Sequence, residues 1–157
     1  MTPQELVEQY GLEPIPLEGG LFRRTWTGPA RPDGRPEGTA IVALLAADDY
    51  SALHRLKSDE IWHFYLGDPL ELLLLAPDGS TGTQVLGPDI RRGHRPQLTV
   101  PAGTWMGGRV TEGGTWTFFG CTTTPGFTYE DYEHGRAADL TARYPAEAAR
   151  IMALCRP

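Results

Sequence analysis

Turn signals divide most of the chain into short strand-like segments, and their spacing limits the folds that the sequence can adopt. From Thr39 onward, apolar and β-branched runs recur about every eight to twelve residues. Turns such as Asp68-Pro69 and Pro77-Asp78-Gly79 separate these runs. Long helical patterns never alternate with them, which argues against a parallel α/β sheet. The spacing predicts an all-β barrel or sandwich.

The turn signals and side-chain patterns also predict where the strands and helices lie. Strands are expected at Leu21–Thr27, Thr39–Leu45, Ala52–Leu56, Glu60–Leu66, Leu70–Leu75, Thr83–Leu86, Gln97–Val100, Met106–Arg109 and Thr115–Cys121. Before them, Thr2 and Glu5 form a capping box that predicts a short N-terminal helix. Helical periodicity returns at Ala137–Tyr144 and Ala146–Leu154. The Gly- and Pro-rich loop Gly28–Gly38 is expected to be mobile.

The length and net charge of the chain limit the classes of function that it can have. The 157 residues fit a single domain with its own core. A net charge of -6 argues against a nucleic-acid partner, because phosphate backbones select clustered Lys and Arg. The first residues are neither basic nor apolar enough for a signal peptide, and no run reaches membrane-spanning length. We therefore expect a cytoplasmic protein without membrane contact.

Ionisable side chains stand inside the most apolar stretch of the chain, residues 54–75. Strand alternation places His54 and Glu60 on the inner faces of neighbouring strands, within reach of a common ligand. Trp62 and Phe64 share the face of Glu60, and each is either a core residue or a ligand contact. His63 points the other way unless a bulge intervenes. The stretch predicts a pocket lined by alternate residues of two strands.

Three segments together resemble an uncharacterised bacterial and fungal family of the cupin superfamily. They are HRLKSDEIWHFYLGDPLELL, VPAGTW and GCTTTPGFTYEDYE, and the similarity runs from about Gly19 to Tyr144. His54, Glu60 and Gly67 look like the first cupin motif. The segment from Pro101 to Met106 is similar to the second motif.

The resemblance implies a fold and an assembly. The fold is an all-β, cupin-type double-stranded β-helix, a jelly-roll barrel with a short N-terminal helix and C-terminal helices. Residues 1–157 then form a single cupin domain, with the barrel at about 19–124 and a C-terminal lid and helical segment at about 125–157. Because cupins commonly pair through exchanged edge strands, we also expect a homodimer.

The resemblance does not decide whether the site binds a metal ion. In metal-binding cupins the two motifs supply three histidines and one glutamate. His54 and Glu60 match two of these positions, but Leu56 and Met106 occupy the others. A thioether is a poor ligand for Zn, Fe(II) or Mn. One alternative is a divalent transition metal held by His54, Glu60 and His63, and the other is a site without a cofactor.

The superfamily also includes metal-free deoxysugar-nucleotide epimerases, in which a histidine acts as base and a tyrosine as acid. This distant similarity implies His54 as general base, Glu60 or Asp59 as its orienting carboxylate, and Tyr129 or Tyr132 as acid. From the second motif, Trp105 and Met106 are further candidate ligand contacts. The function expected first is an isomerase or epimerase acting on a carbohydrate or nucleotide-sugar. The alternative is a non-catalytic module that binds or stores a small ligand.

Overall fold

The computed structural model describes residues 1–157, which form short strands and three α-helices. The strands are β1 (Glu13–Pro14), β2 (Leu21–Thr27), β3 (Thr39–Ala46), β4 (Ser51–Arg55), β5 (Asp59–Gly67), β6 (Leu70–Leu75), β7 (Thr81–Leu86), β8 (Gln97–Val100), β9 (Trp105–Val110), β10 (Trp116–Thr124) and β11 (Glu133–His134). The helices are α1 (Pro3–Tyr10), α2 (Ala137–Arg143) and α3 (Ala148–Ala153), with 3-10 turns at Ile90–Arg92 and Pro145–Glu147. None of these helices is long and apolar enough to cross a membrane.

Two antiparallel sheets enclose the main core. The six-stranded sheet has the order β1-β2-β3-β10-β5-β8, and the five-stranded sheet has the order β11-β4-β9-β6-β7. Neighbours within each sheet are often distant in the sequence, as in a jelly roll. The predicted all-β jelly roll with a short N-terminal helix and C-terminal helices is confirmed.

Most predicted strands agree with the observed ones to within two residues, and β2, β6 and β8 match in full. Two strands, β1 and β11, are not predicted, because two residues are too few to show side-chain alternation. They form because neighbouring strands offer backbone partners: in β11, Glu133 pairs with Arg55 and His134 with His54. Strand β11 therefore brings a second histidine beside His54.

Buried side chains form a main core between the sheets and a second core under the C-terminal helices. Leu72 and Met106 belong to the main core, whereas Leu73 and Ile151 belong to the second. Strand β6 is thus buried on both faces. This explains why its sequence, LELLLL, is almost continuously apolar instead of alternating.

Helix α1 covers part of the outer face of the six-stranded sheet. Its predicted capping box is confirmed: Thr2 Oγ1 accepts the backbone N–H of Glu5 at 3.2 Å, and the Glu5 carboxylate accepts the N–H of Thr2 at 2.6 Å. Gly11 follows the helix with a φ of 64°. Leu6 packs in a small cluster with Phe118 of β10. The helix therefore adds a third, minor core.

Truncating a buried side chain of α3 tests whether the C-terminal helices belong to the cooperative fold. Ile151 is 0% exposed in the second core. We expect Ile151→Ala to lower the free energy of unfolding by about 2 to 4 kcal/mol, because the lost methyl groups leave a cavity. Met152 is 62% exposed, so Met152→Ala should change the free energy of unfolding by less than about 0.5 kcal/mol. Urea denaturation measures both, and equal effects would contradict this packing.

Candidate functional site

One cavity of about 370 Å³ lies beside the main core, on the inner face of the six-stranded sheet. Strands β2, β3 and β10 provide much of its wall. His54 reaches it from β4 and Glu60 from β5. Residues 13–18 and residues 125–132, which we call the capping segment, contribute the remaining sides. The cavity therefore collects ionisable side chains from elements that are distant in the sequence.

His54 supplies the imidazole of this cavity and is only 2% exposed. Its Nδ1 lies 2.7 Å from the carbonyl oxygen of Ala52. Because a carbonyl oxygen only accepts hydrogen bonds, Nδ1 carries the proton of the neutral ring and Nε2 has the free electron pair. Nε2 lies 3.7 Å from Oε1 of Glu18, and this oxygen also accepts a hydrogen bond from Ser51 Oγ at 2.8 Å. The basic nitrogen of His54 is thus held beside a carboxylate.

Glu60 is a second acid of the cavity and is 7% exposed. Its carboxyl makes no hydrogen bond or ion pair within the protein. Burial raises the pKa of this carboxyl to about 8, and repulsion from Glu18 adds to the rise. The indole N–H of Trp62 opposes the rise, although it forms no hydrogen bond of normal geometry. Glu60 therefore keeps its proton at neutral pH and can donate a hydrogen bond to a ligand.

Tyr132 of the capping segment covers the ring of His54. The two rings stack with centroids 5.4 Å apart, and the Tyr132 hydroxyl lies 2.8 Å from Nδ1 of His134. Burial raises the pKa of Tyr132, so its hydroxyl keeps its proton while it shares this hydrogen bond with His134. Burial lowers the pKa of His134, and repulsion from His54 when that ring is protonated adds to the decrease. The capping segment thus shields His54 with a tyrosine that is itself fixed by a hydrogen bond.

The structure brings the three predicted catalytic side chains, His54, Glu60 and Tyr129, to the same cavity. Tyr129 is 53% exposed and therefore stands at the mouth, and partial burial raises the pKa of its hydroxyl. The carboxylate beside the His54 imidazole is Glu18, however, and not Glu60 or Asp59. Asp59 instead accepts the backbone N–H of Ala102 at 2.8 Å.

The four predicted ligand contacts, Trp62, Phe64, Trp105 and Met106, do not line the cavity. Trp62 stacks on Phe119 with the ring centroids 5.3 Å apart. Trp62 and Met106 are buried in the main core, and Phe64 packs against that core. Trp105 belongs to the second core. A strand advances about 7 Å for every two residues. The cavity at the Glu60 end of β5 therefore does not extend to the next two inward-facing side chains.

The predicted metal ligands do not come together. His63 lies on the outer face of the six-stranded sheet, where its Nε2 is 3.2 Å from Thr122 Oγ1 and its ring stacks on Tyr65. No group of three His, Cys, Asp or Glu side chains is arranged to hold a metal ion. Divalent transition metals require about three such protein ligands. The side chains around His54 and Glu60 therefore do not fit the metal centre implied by the cupin motifs.

The loop Gly28–Gly38, predicted to be mobile, is tied to the capping segment. Arg35 Nε donates to the carbonyl oxygen of Gly126 at 2.9 Å, and its guanidinium forms an ion pair with Asp131. Asp131 is buried, so the loop is anchored at the cavity. Phe127 is held as well, because its N–H donates to Thr39 Oγ1 at 2.9 Å. These contacts fix the aromatic side chains that close the site.

Two residues of the site, Glu18 and His134, are not predicted from the sequence. Glu18 follows Leu17, whose φ of 67° is a left-handed conformation that a leucine adopts only when the surrounding structure enforces it. His134 lies on a two-residue strand. Neither position carries a periodic signal. An acidic residue before Gly19-Gly20 is the only hint that the sequence offers for Glu18.

The chain matches a known family and several solved structures. The family model described as Cupin superfamily (DUF985) matches residues 4–135. Since the match covers most of the chain, this protein belongs to that family. The fold and the family predicted from the sequence are both confirmed. No curated protein sequence matches the chain.

Two similar structures cover the whole molecule. A crystal structure of a protein from Shewanella oneidensis is 32% identical with a TM-score of 0.93, over 100% of this chain and 99% of that chain. A hypothetical protein from Leishmania major is 28% identical with a TM-score of 0.90, over 100% of both chains. The N-terminal helix, both sheets and the C-terminal helices are therefore shared features.

Oxalate decarboxylase from Bacillus subtilis is a more distant likeness. It is 14% identical with a TM-score of 0.59, over 91% of this chain and 37% of that chain. At this identity the likeness shows the fold alone. The similarity to deoxysugar-nucleotide epimerases is not shown by these comparisons and stays a prediction.

Removing the guanidinium of Arg35 tests whether it anchors the capping segment. We expect Arg35→Ala to increase amide hydrogen exchange in residues 126–134 at least about threefold, because local opening then breaks fewer contacts. Arg31 lies in the same loop, but its ion pair with Asp33 is exposed. Arg31→Ala should therefore leave exchange in this segment unchanged. Equal exchange in the two variants, measured by mass spectrometry, would remove Arg35 from this role.

Removing the titrating carboxyl tests the pKa of Glu60. This pKa rises from its ordinary 4.5 in the unfolded chain to about 8 in the folded protein. Between these values the folded state holds a proton that the unfolded chain releases, so this contribution to stability is full below pH 4.5 and is lost as the pH rises to about 8. Glu60→Gln should remove roughly 3 to 5 kcal/mol of pH dependence.

Urea denaturation of wild type and Glu60→Gln at about pH 5 and about pH 9 measures this difference. The stability of the variant relative to wild type should be higher at about pH 9 than at about pH 5, because only the wild type loses the Glu60 contribution. The exposed Glu130→Gln variant controls for the loss of a surface carboxyl. A gap between wild type and Glu60→Gln that is the same at both pH values would contradict the raised pKa.

Proposed function

We propose that the cavity binds a small carbonyl-bearing carbohydrate and interconverts its isomers by moving a proton, as an isomerase or epimerase does. The proposal rests on one observation: His54 presents a basic nitrogen, and Glu60 a protonated carboxyl, in the same sheltered cavity. Proton abstraction next to a carbonyl group needs a base for the carbon and a donor for the oxygen. This pair provides both.

His54 acts as the base. The ring is held by the bond from Nδ1 to Ala52, so Nε2 can accept the proton of a carbon next to the substrate carbonyl. When Nε2 takes that proton, the imidazolium stands 3.7 Å from the Glu18 carboxylate, which stabilises it. Ser51 keeps that carboxylate in place through its hydroxyl. Glu18 is therefore a positioning residue for the base.

Glu60 acts as the donor to the substrate oxygen. As the C–H bond breaks, its electron pair forms the carbon–carbon double bond of an enol, and the carbonyl oxygen takes the proton of Glu60. If His54 returns its proton to the former carbonyl carbon, the hydroxyl on the first carbon gives its proton to Glu60 and becomes the new carbonyl, which converts an aldose into a ketose. If the enol turns over in the cavity, His54 returns its proton to the other face of the first carbon, and the enol hydroxyl returns its proton to Glu60, which gives the epimer. Tyr129, at the mouth, offers a further hydroxyl for binding. The cycle leaves the protein unchanged.

A second function, non-catalytic binding of a small ligand, is favoured by the apolar part of the wall. Phe22, Ile41 and Phe119 line the cavity beside the acids. Such a surface holds a ligand by burial alone. In this case Glu60 anchors a ligand hydroxyl, and no proton moves to carbon.

Exchange of substrate hydrogen with solvent distinguishes the two functions. Wild-type protein, incubated in D₂O with a panel of aldoses, ketoses and their phosphates, should replace a C–H by C–D in a proton NMR spectrum. His54→Gln should lower this rate by at least about a hundredfold, because general base catalysis contributes that much. His63→Gln is the matched control, since His63 lies outside the cavity, and it should retain the rate.

The outcomes separate the two functions. An exchange rate in His54→Gln equal to that of wild type would overturn the catalytic proposal. Binding of a sugar without exchange by the wild-type protein would support the non-catalytic module instead. Exchange should also fall as the pH rises through about 8, where Glu60 loses its proton.

A further inference from the structure

Two arginines without a carboxylate partner border the cavity. Arg23 and Arg24 of β2 both line it, and both are exposed. We infer that Arg24 forms an anion subsite at its mouth, so that the ligand is a molecule of about the size of one sugar ring carrying a phosphate or carboxylate group. This inference rests on the proposed function, because it names the substrate class of the same cavity.

The two arginines have little to bind within the protein. Neither belongs to any of the ion pairs of the structure. Arg24 makes one long hydrogen bond, from Nη2 to the carbonyl oxygen of Phe127 at 3.5 Å, and Arg23 makes none. Glu13 also lines the cavity but pairs with neither of them. Acidic residues outnumber basic ones by 20 to 14, so partners are not scarce in this chain.

The register of β2 shows which arginine points into the cavity. In a regular strand neighbouring side chains point to opposite faces. Arg24 pairs with Ile41, which lines the cavity, whereas Arg23 pairs with Val42, which packs under α1 on the outer face. The guanidinium of Arg24 therefore belongs to the cavity side of β2, and Arg23 only borders the cavity from the outer side. Strand β1 pairs only with Leu21 and Phe22, so β2 beyond them is a free edge.

The charges of the cavity are ordered from its mouth to its interior. The arginines are exposed, whereas His54 and Glu60 are buried. The interior therefore offers a neutral carboxyl and an imidazole, which suit hydroxyl and carbonyl groups. The mouth offers the forked guanidinium of Arg24, which matches the oxygens of a phosphate or carboxylate. Such a ligand keeps its charged group near water and buries only its uncharged part.

The size of the cavity limits the ligand. A volume of about 370 Å³ lies near the lower end of the range for small-molecule sites, roughly 300 to 1,000 Å³. One sugar ring with one anionic group suits this space better than a nucleotide-sugar, which adds a base and a second ring. The aromatic rings of Phe127 and Tyr129 lie beside the mouth and contact each other edge to face, with centroids 5.1 Å apart.

Calorimetric titration of the wild-type protein with three sets of probes tests the subsite. The probes are aldose and ketose phosphates, the corresponding uronates, and the uncharged sugars, with inorganic phosphate alone as a fourth arm. We expect at least one phosphorylated or carboxylated sugar to bind at least about tenfold more tightly than its uncharged parent, because charge-assisted hydrogen bonds contribute that much. The phosphate and uronate arms show which anion is preferred.

Variants assign the effect to Arg24. Arg24→Ala should remove the preference for the anionic sugar, and Arg24→Lys should restore part of it through charge. Arg91 is exposed and also lacks an ion pair, so Arg91→Ala is the control and should bind as the wild type does. The substituted arginines are exposed, so thermal unfolding should be unchanged in each variant.

Two results would overturn the subsite: no anionic sugar binds more tightly than its uncharged parent, or the Arg24→Ala variant keeps the preference. Failure of the proposed function is a different result. His54→Gln should retain the anionic preference in calorimetry while losing exchange. Tight binding of an anionic sugar without exchange by the wild type would leave the subsite standing and refute the isomerase.

Discussion

The cavity depends on the pairing of β10, the strand at the centre of the six-stranded sheet. It pairs with β3 along one edge and β5 along the other, and this register sets Thr123 between Thr39 and Glu60. The hydroxyls of Thr39 and Thr123 are 3.0 Å apart, and Thr39 also accepts the N–H of Phe127. A slip of one residue would exchange the inner and outer faces of the strand. One register therefore positions both the buried acid and the capping segment.

The interior tolerates these ionisable groups because they are neutral or hydrogen-bonded. An unpaired buried carboxylate is costly, and Glu60 avoids the cost by keeping its proton. His54 Nδ1 donates a hydrogen bond to a backbone carbonyl, and the Tyr132 hydroxyl is hydrogen-bonded to Nδ1 of His134. The remaining polar capacity, the Glu60 carboxyl and the free nitrogen of His54, faces the cavity. Folding therefore leaves unsatisfied the same groups that a polar ligand would use.

Strand alternation predicts the parts of the site that local backbone geometry controls, including the inward His54 and the outward His63. It cannot tell how far a cavity extends along a strand, which is why it offers Trp62 as a ligand contact although that side chain belongs to the core. Glu18 and Arg35 act across contacts between distant segments, which leave no periodic pattern. The homodimer and the cytoplasmic location stay predictions, because the structure of a single chain tests neither.

The burial of β6 on both faces has a consequence for how this fold can change. The most apolar strand contributes to two cores, yet none of its residues lines the cavity. Side chains that hold the two layers together are thus separate from most of those that would select a ligand. Substitutions at exposed positions, such as Arg24 of β2 and Tyr129 of the capping segment, can therefore alter chemistry at little cost in stability. Relatives that share this scaffold are free to diverge in what they recognise while keeping the same architecture.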